Sequence, residues 1–244
     1  FHAVPVTEGV RINATITEPD GTTTKLNGRG ATIDPDAQRT IEETVTRLAD
    51  NSSWLVMAGS LPPGVPVGWY TDLIATVRAT HPGLPVAVDT SDAAIRALGE
   101  GLERAAPTLI KPNGLELGQL TGRDGESLEE SAAAGELDEV VAAARQVIER
   151  GVNEVLVTLG AAGAALVSPR GAWFATPPPV AVMSTVGAGD SSLAGYLMAR
   201  AEGGSPADCL ARAVAYGTAA TGLPGTTIPS PAQLNLADTH VRAL

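Results

Sequence analysis

The sequence predicts an α/β fold, a doubly wound and mostly parallel sheet with a small β-hairpin attached. Two observations carry this. Short, continuously apolar runs such as Trp54-Leu55-Val56-Met57-Ala58 and Val155-Leu156-Val157 alternate with stretches whose apolar residues recur at helical spacing, as Ile41, Val45 and Leu48 do. Strands that are apolar on both sides belong to a sheet buried on both faces, and the helices between them are what bury it. The chain of 244 residues at 44% hydrophobic content is also long enough to enclose one large core.

The elements follow in order. Phe1 to Gly9 carries no helix or turn signal. Val10, Ile12, Ala14 and Ile16 then alternate with Arg11, Asn13, Thr15 and Thr17, and Pro19-Asp20-Gly21 turns the chain into Thr22-Thr23-Thr24-Lys25-Leu26. This pattern predicts a half-exposed hairpin with one polar face. From Asp36 the rhythm becomes helix and strand, with strands at Trp54–Ala58, Val86–Val88, Thr108–Ile110 and Val155–Val157. Helices are expected near Val67 to Thr80, Asp92 to Leu98 and Asp138 to Arg150. Ala164 to Ser168 and Ala172 to Thr176 flank Pro169-Arg170-Gly171 and read as an antiparallel pair. Ser205-Pro206 opens a helix with Ser205 as N-cap and Pro206 at the first helical position. The acidic stretch from Arg123 to Glu139 reads as a solvated surface insertion. Residues 1–30 thus form the hairpin unit and residues 31–244 the α/β core.

Composition narrows the function. Lys and Arg number 16 against 27 Asp and Glu, a formal net charge of -11, which argues against a nucleic-acid partner or an anionic membrane surface. Any anionic substrate must be held locally. Cys209 is the single cysteine, so no intramolecular disulfide forms and a reducing cytoplasm is the expected setting. No apolar run approaches the roughly 18 residues of a membrane span. His2, His81 and His240 lie far apart and show no metal-ligand spacing.

The chemistry collects in loops expected at the carboxyl ends of the strands, where open α/β sheets bind ligands. In Ser184-Thr185-Val186-Gly187-Ala188-Gly189-Asp190-Ser191-Ser192-Leu193-Ala194-Gly195 a small-residue loop delivers a carboxylate to the start of an apolar helix. Glycines let backbone amides approach an oxyanion, and the helix start adds unpaired donors and positive dipole. Asp190 beside a phosphate makes sense as the acceptor of a proton from an attacking hydroxyl. The bland alternative is a glycine turn with Asp190 as helix N-cap. Lys111 supplies a point cation suited to a polyphosphate, and Asn113 and Glu116 sit one helical turn apart, so both oxygens can face one hydrated Mg²⁺. The alternative there is a proline turn followed by an Asn-capped helix. Thr158 to Gly163 offers a hydroxyl and two glycines for close approach to phosphate or ribose, or else is a plain turn between strands.

Together and in this order, Gly59-Ser60-Leu61-Pro62-Pro63-Gly64, Lys111-Pro112-Asn113-Gly114-Leu115-Glu116, Thr158-Leu159-Gly160-Ala161-Ala162-Gly163 and Gly187-Ala188-Gly189-Asp190 resemble the motifs of the ribokinase-like (PfkB) sugar kinases. Arg11-Ile12-Asn13 and the following hairpin look further like the 1-phosphofructokinase and tagatose-6-phosphate kinase branch. The resemblance implies a ribokinase-like fold with a β lid and ATP-dependent phosphorylation of a sugar phosphate, most readily fructose 1-phosphate. It implies Asp190 as base, with the Gly187, Ala188 and Gly189 amides stabilising the transferring phosphoryl group. It further implies ATP held by Lys111, Thr158, Leu159, Gly160, Ala161, Ala162, Gly163 and Gly189, Mg²⁺ positioned by Asn113 and Glu116 through water, and the sugar phosphate met by Arg11, Asn13 and Asp190.

Family members often pair through the lid, so a homodimer is expected. Gly217, Thr218 and Gly222 to Gly225 would line the adenine pocket, although a helix end with a Gly-Pro-Gly stop also explains them. Met183 stands where relatives often carry a polar residue. Relatives also begin with a stretch holding a Gly-Gly-Lys-Gly-like sugar loop, a sheet strand and part of the lid. An exposed apolar sheet edge, or an unfilled groove beside Arg11, is therefore expected. Two other classes stand against the kinase. A dinucleotide oxidoreductase needs Gly-x-Gly-x-x-Gly directly after a first strand, whereas Gly187 follows the Pro177-Pro178-Pro179 segment. A non-catalytic sugar-phosphate or nucleotide binder of the same fold would not need Asp190.

Overall fold

The computed structural model describes residues 2–17 and 23–244. β1 (Asn13–Thr17) and β2 (Thr23–Asn27) form the expected antiparallel hairpin, with Asn13 opposite Asn27; its Pro19-Asp20-Gly21 turn lies outside the described residues. The expectation of one buried face is corrected. Ile12 is 72% and Ile16 52% exposed, and Leu26 on the partner strand 55%. The two strands pack chiefly on each other, so their alternation has no core to face.

The main sheet has seven strands in the order β3 (Leu55–Ala58), β4 (Val86–Asp89), β5 (Leu109–Ile110), β6 (Glu154–Thr158), β7 (Ala164–Ser168), β8 (Gly171–Thr176) and β9 (His240–Ala243). β3 to β6 are parallel, and β7 to β9 return antiparallel. Helices cover both faces, which is why the central strands read as continuous apolar runs. Val86, Val88, Val155 and Val157 face a core shared with α1 (Pro35–Ala49), α2 (Trp69–Thr80), α3 (Asp92–Ala105), α4 (Gly114–Thr121), α5 (Gly125–Ala133) and α6 (Asp138–Glu149). Ala87, Leu109 and Leu156 face a second core built with α7 (Ala188–Ala201) and α8 (Pro206–Thr221). β3 forms one edge of the sheet, and its Val56 is 43% exposed. Among the described residues no helix is long and apolar enough to cross a membrane.

The segment Arg123 to Glu139 is not a solvated insertion. Asp124 caps α5 by accepting from the Glu126 amide at 3.0 Å, and Leu128, Ala132 and Leu137 are buried in the first core. Leu128 and Ala132 are four residues apart and so share a face. Acidic composition concealed that amphipathic stripe.

Candidate active site

Because β3 to β6 are parallel, the residues that leave them gather on one rim. Lys111 is the first residue beyond β5, and its amide donates to Val88 O at 3.0 Å. Its ammonium is buried and pairs with Asp89 Oδ2, at the end of β4, at 3.0 Å. Burial pushes the Asp89 carboxyl up, and the neighbouring Lys111 cation opposes this. Lys111 Nζ also lies against α7: a Cβ built on Gly189 would stand 3.2 Å from it. A side chain at position 189 would therefore crowd the Lys111 ammonium.

α7 begins in an unusual way for a helix. Its N-cap is Gly187, at φ 79° in the left-handed region, and no side chain caps the first turn. The Ala188 amide donates to Thr185 O at 3.4 Å, and among the described residues the Gly189 and Asp190 amides are left to the rim, as unpaired donors at the positive end of the helix dipole. Asp190 is the third helical residue and is exposed, so it is not the N-cap. Among the described residues its carboxylate makes no hydrogen bond within the protein. It is close enough to Asp89 for the two charges to be felt. A carboxylate that is free, solvent-facing and beside an anion-attracting helix start is placed to take up a proton.

The Thr158–Gly163 loop sits next to this. Thr158 bridges Asn113 in parallel fashion, and its amide donates to Pro112 O at 2.9 Å. Gly160 to Ala162 make a single 3₁₀ turn, closed by Ala162 N to Leu159 O at 3.1 Å and Gly163 N to Gly160 O at 3.2 Å, and Leu159 N donates to Gly163 O across its base at 2.9 Å. The glycines differ in role. Gly160, at φ 56°, has open space around it, whereas a Cβ on Gly163 would run into the Ala175 carbonyl. Gly160 and the exposed Ala161 can receive a ligand; Gly163 packs β7 against β8, and Leu159 is buried core.

Asn113 and Glu116 form a reciprocal capping box at the start of α4. Asn113 Oδ1 accepts from the Glu116 amide at 2.8 Å, and Glu116 Oε2 from the Asn113 amide at 2.9 Å. Among the described residues no group of three or more His, Cys, Asp or Glu could hold a metal. The donor set therefore does not make a cage. It fits a hydrated Mg²⁺ carried by phosphates, which needs one or two carboxylates, and Glu116 retains an oxygen outside the capping box. Burial raises its carboxyl, and Lys111, Asp89 and Asp92 all act on it electrostatically.

The hairpin reaches the same rim. Arg11 donates through Nη1 to Ser60 Oγ and through Nε to Asn13 Oδ1 at 3.0 Å. Ser60 follows Gly59, whose carbonyl accepts from Tyr70 Oη and Thr90 Oγ1, each at 2.9 Å, and whose amide donates to Asp89 O at 2.8 Å. A guanidinium held by Ser60 on a fixed loop and by Asn13 on its own strand suits recognition of a phosphate. Met183 is 61% exposed, and its amide donates to Thr221 O at the end of α8, so it joins the approach to α7 to the Gly222–Gly225 segment.

Sequence reasoning passed over three contributors. Asp89 follows Val86-Ala87-Val88 as Lys111 follows Ile110, and that strand-end position was the available signal. Asp92 is the only non-glycine residue with positive φ among those described, at 57°, and it stands at the start of α3 near Glu116. Strain of this kind collects at functional sites. Tyr70, buried in α2, offered no sequence signal.

Comparisons with known proteins bear on the family. The family model for pfkB family carbohydrate kinases matches residues 2–233. The chain is 37% identical to the 1-phosphofructokinase of Escherichia coli (strain K12) over 188 residues, 77% of this chain and 55% of that protein. It is 37% identical to the 1-phosphofructokinase of Rhodobacter capsulatus over 92% of this chain and 67% of that one. ATP-dependent 6-phosphofructokinase isozyme 2 of Escherichia coli (strain K12) is 35% identical over 82% of this chain and 60% of its own length. The crystal structure of phosphofructokinase-2 from Escherichia coli in complex with potassium superposes with a TM-score of 0.80 at 32% identity, covering 93% of this chain and 70% of that one. The chain thus spans little more than half the length of the first of these relatives.

Proposed function

From the premise that this chain belongs to the pfkB family of carbohydrate kinases, we propose that it transfers the γ-phosphoryl group of ATP to a hydroxyl of a sugar phosphate, fructose 1-phosphate by preference. The observation that carries the proposal is the convergence of Lys111 Nζ, Gly189 and the free carboxylate of Asp190 at the uncapped start of α7.

In the transfer, Asp190 accepts the proton of the attacking hydroxyl as its oxygen forms the new bond to the γ-phosphorus and the bond to the bridging oxygen of ADP breaks. The amides at the start of α7 and the Lys111 ammonium face the charge on the transferring group, which a preorganised site stabilises without reorientation. The Gly160–Ala162 turn and Thr158 receive the nucleotide. Arg11, supported by Asn13 and Ser60, holds the phosphate that the acceptor already carries. Mg²⁺, when bound with nucleotide near Glu116, supplies neutralisation of the phosphate oxygens. The exposed apolar residues of the hairpin suit a homodimer through the lid, and a cytoplasmic setting suits the single free Cys209.

A fructose 6-phosphate kinase is the second reading, favoured by the similarity to the 6-phosphofructokinase isozyme. A coupled ADP-release assay over fructose 1-phosphate, fructose 6-phosphate, tagatose 6-phosphate and unphosphorylated sugars separates the two. The highest kcat/KM is expected with fructose 1-phosphate. ATP turnover that no phosphorylated acceptor raises above the acceptor-free rate would make the protein a binder rather than a kinase.

A further inference from the structure

At the end of the sheet opposite the rim, a carboxylate is buried where β6 begins. Glu154, 4% exposed, accepts a hydrogen bond from Tyr196 Oη through Oε2, and the same oxygen lies 3.5 Å from Arg200 Nε. Its other oxygen meets Arg170 Nη2, from the turn between β7 and β8, at 3.3 Å. Tyr196 is fully buried, and burial together with Glu154 raises its hydroxyl pKa, so it remains a donor.

Tyr196 and Arg200 are one helical turn apart on α7 and therefore grip one carboxylate from a single face. The chain joins that carboxylate to the phosphate-side loop: β6 starts at Glu154 and ends at Thr158. α7 runs the other way, carrying Asp190 about 9 Å along its axis from Tyr196.

We propose that Glu154 is a positioning residue, which through Tyr196 and Arg200 fixes the axial register of α7 on β6 and so the place of Asp190 relative to the Thr158–Gly163 loop. This rests on the kinase reading only for its consequence for rate. The composition of α7 explains why such a device is needed. Three of its five buried residues, Ser192, Gly195 and Ala199, are small, and only Leu193 and Tyr196 are large, so few large side chains key α7 into the layer beneath. The Tyr196 hydrogen bond and the Arg200 ion pair to one buried charge add register to that packing, and misplacement of a reacting group by about 1 Å can cost about a hundredfold in rate.

The test compares Tyr196→Phe, which removes only the hydroxyl, with Leu210→Ala, which removes buried volume from the neighbouring α8 without touching Glu154. Hydrogen exchange of the hydrogen-bonded amides of residues 191–196 is measured alongside kcat and the KM for ATP. Tyr196→Phe is expected to speed exchange at 191–196 at least tenfold and to lower kcat about tenfold or more, with the KM for ATP within twofold. Leu210→Ala is expected to lower thermal stability and leave both quantities unchanged per folded molecule. Unchanged exchange at 191–196 in Tyr196→Phe overturns the proposal, whatever the rates. A wild-type protein that transfers no phosphoryl group refutes the kinase reading instead, and the exchange data still decide the role of Glu154.

Discussion

Asp190 is the residue on which the chemistry turns, because its carboxylate is spent neither on capping α7 nor on an ion pair. Asp190→Asn keeps the volume and loses the proton acceptor, so kcat is expected to fall about two to four decades while ATP affinity by calorimetry stays within a few-fold. A variant that keeps most of its turnover would assign the rate to phosphate positioning alone. Arg11 is a matched case on the acceptor side. Arg11→Ala is expected to raise the KM for the sugar phosphate at least tenfold and to leave that for ATP nearly unchanged, since a bidentate charge-assisted contact is lost; equal kinetics across the acceptor panel would remove Arg11 from the site. Glu116 permits a test by pH. Its carboxyl is raised by burial, so the folded protein holds that proton to higher pH than the unfolded chain does, and stability drops as pH rises through the interval between the two values. Glu116→Gln retains the cap oxygen for the Asn113 amide and removes the titration. The stability of the wild type relative to this variant is therefore expected to decline from acid pH toward neutrality in denaturant titrations. A difference that is flat with pH would show that burial does not tax this carboxylate.

At the scale of elements, the site is made by the ends of helices and strands rather than by long loops. α4 begins on a two-residue capping box, α7 on a bare glycine, and that contrast separates a helix start that satisfies its own amides from one that offers them to a ligand. Both starts were visible in the sequence as motifs, but the motifs alone did not say which was which. Asn113 and Glu116 are spaced for a metal and for a cap alike, and only coordinates show the reciprocal bonds. The α7–α8 contact adds a constraint that no pattern of polarity reveals. A Cβ on Gly195 would stand 2.7 Å from both the Arg212 carbonyl oxygen and Tyr216 Cδ2. Alanine is the better helix former by about 1 kcal/mol, yet overpacking of this kind costs about 1–3 kcal/mol, and with backbone on one side the clash should win. Gly195→Ala is thus expected to lower Tm by a few degrees in calorimetry. A rise in Tm would mean that α8 moves away freely, and that α7 is held less tightly than the Glu154 contacts indicate.

Across the whole molecule, a chain of net charge -11 builds an anion site from local means. Arg11, Ser60, Asp89, Lys111, Thr158 and Gly189 are far apart in sequence; the parallel strands deliver Ser60, Asp89, Lys111 and Thr158 to one rim, where the hairpin brings Arg11 and the start of α7 brings Gly189. That is also why the fold was legible. A sheet covered on both faces writes itself as apolar runs, and β3 to β6 were found within about a residue or two of their ends. β9 was not, because His240-Val241-Arg242-Ala243 forms an exposed edge whose packing includes Arg242 stacked 5.6 Å over the Phe174 ring, a contact with no periodic signature. The opposite edge has a sharper physical consequence. Among the described residues β3 offers an unpaired row of backbone groups beside the half-exposed Val56, and an open apolar edge is a template for pairing with another strand. The chain of residues 1–244 is therefore expected to associate with itself as concentration rises, through β3 in addition to any pairing through the hairpin. Val56→Lys places a charge on that edge and should suppress the association in light scattering, with kinetics unaltered because Val56 lies outside the site described above. Scattering that rises equally for wild type and Val56→Lys would move the association to the apolar residues of the hairpin, where Ile12→Lys would abolish it instead.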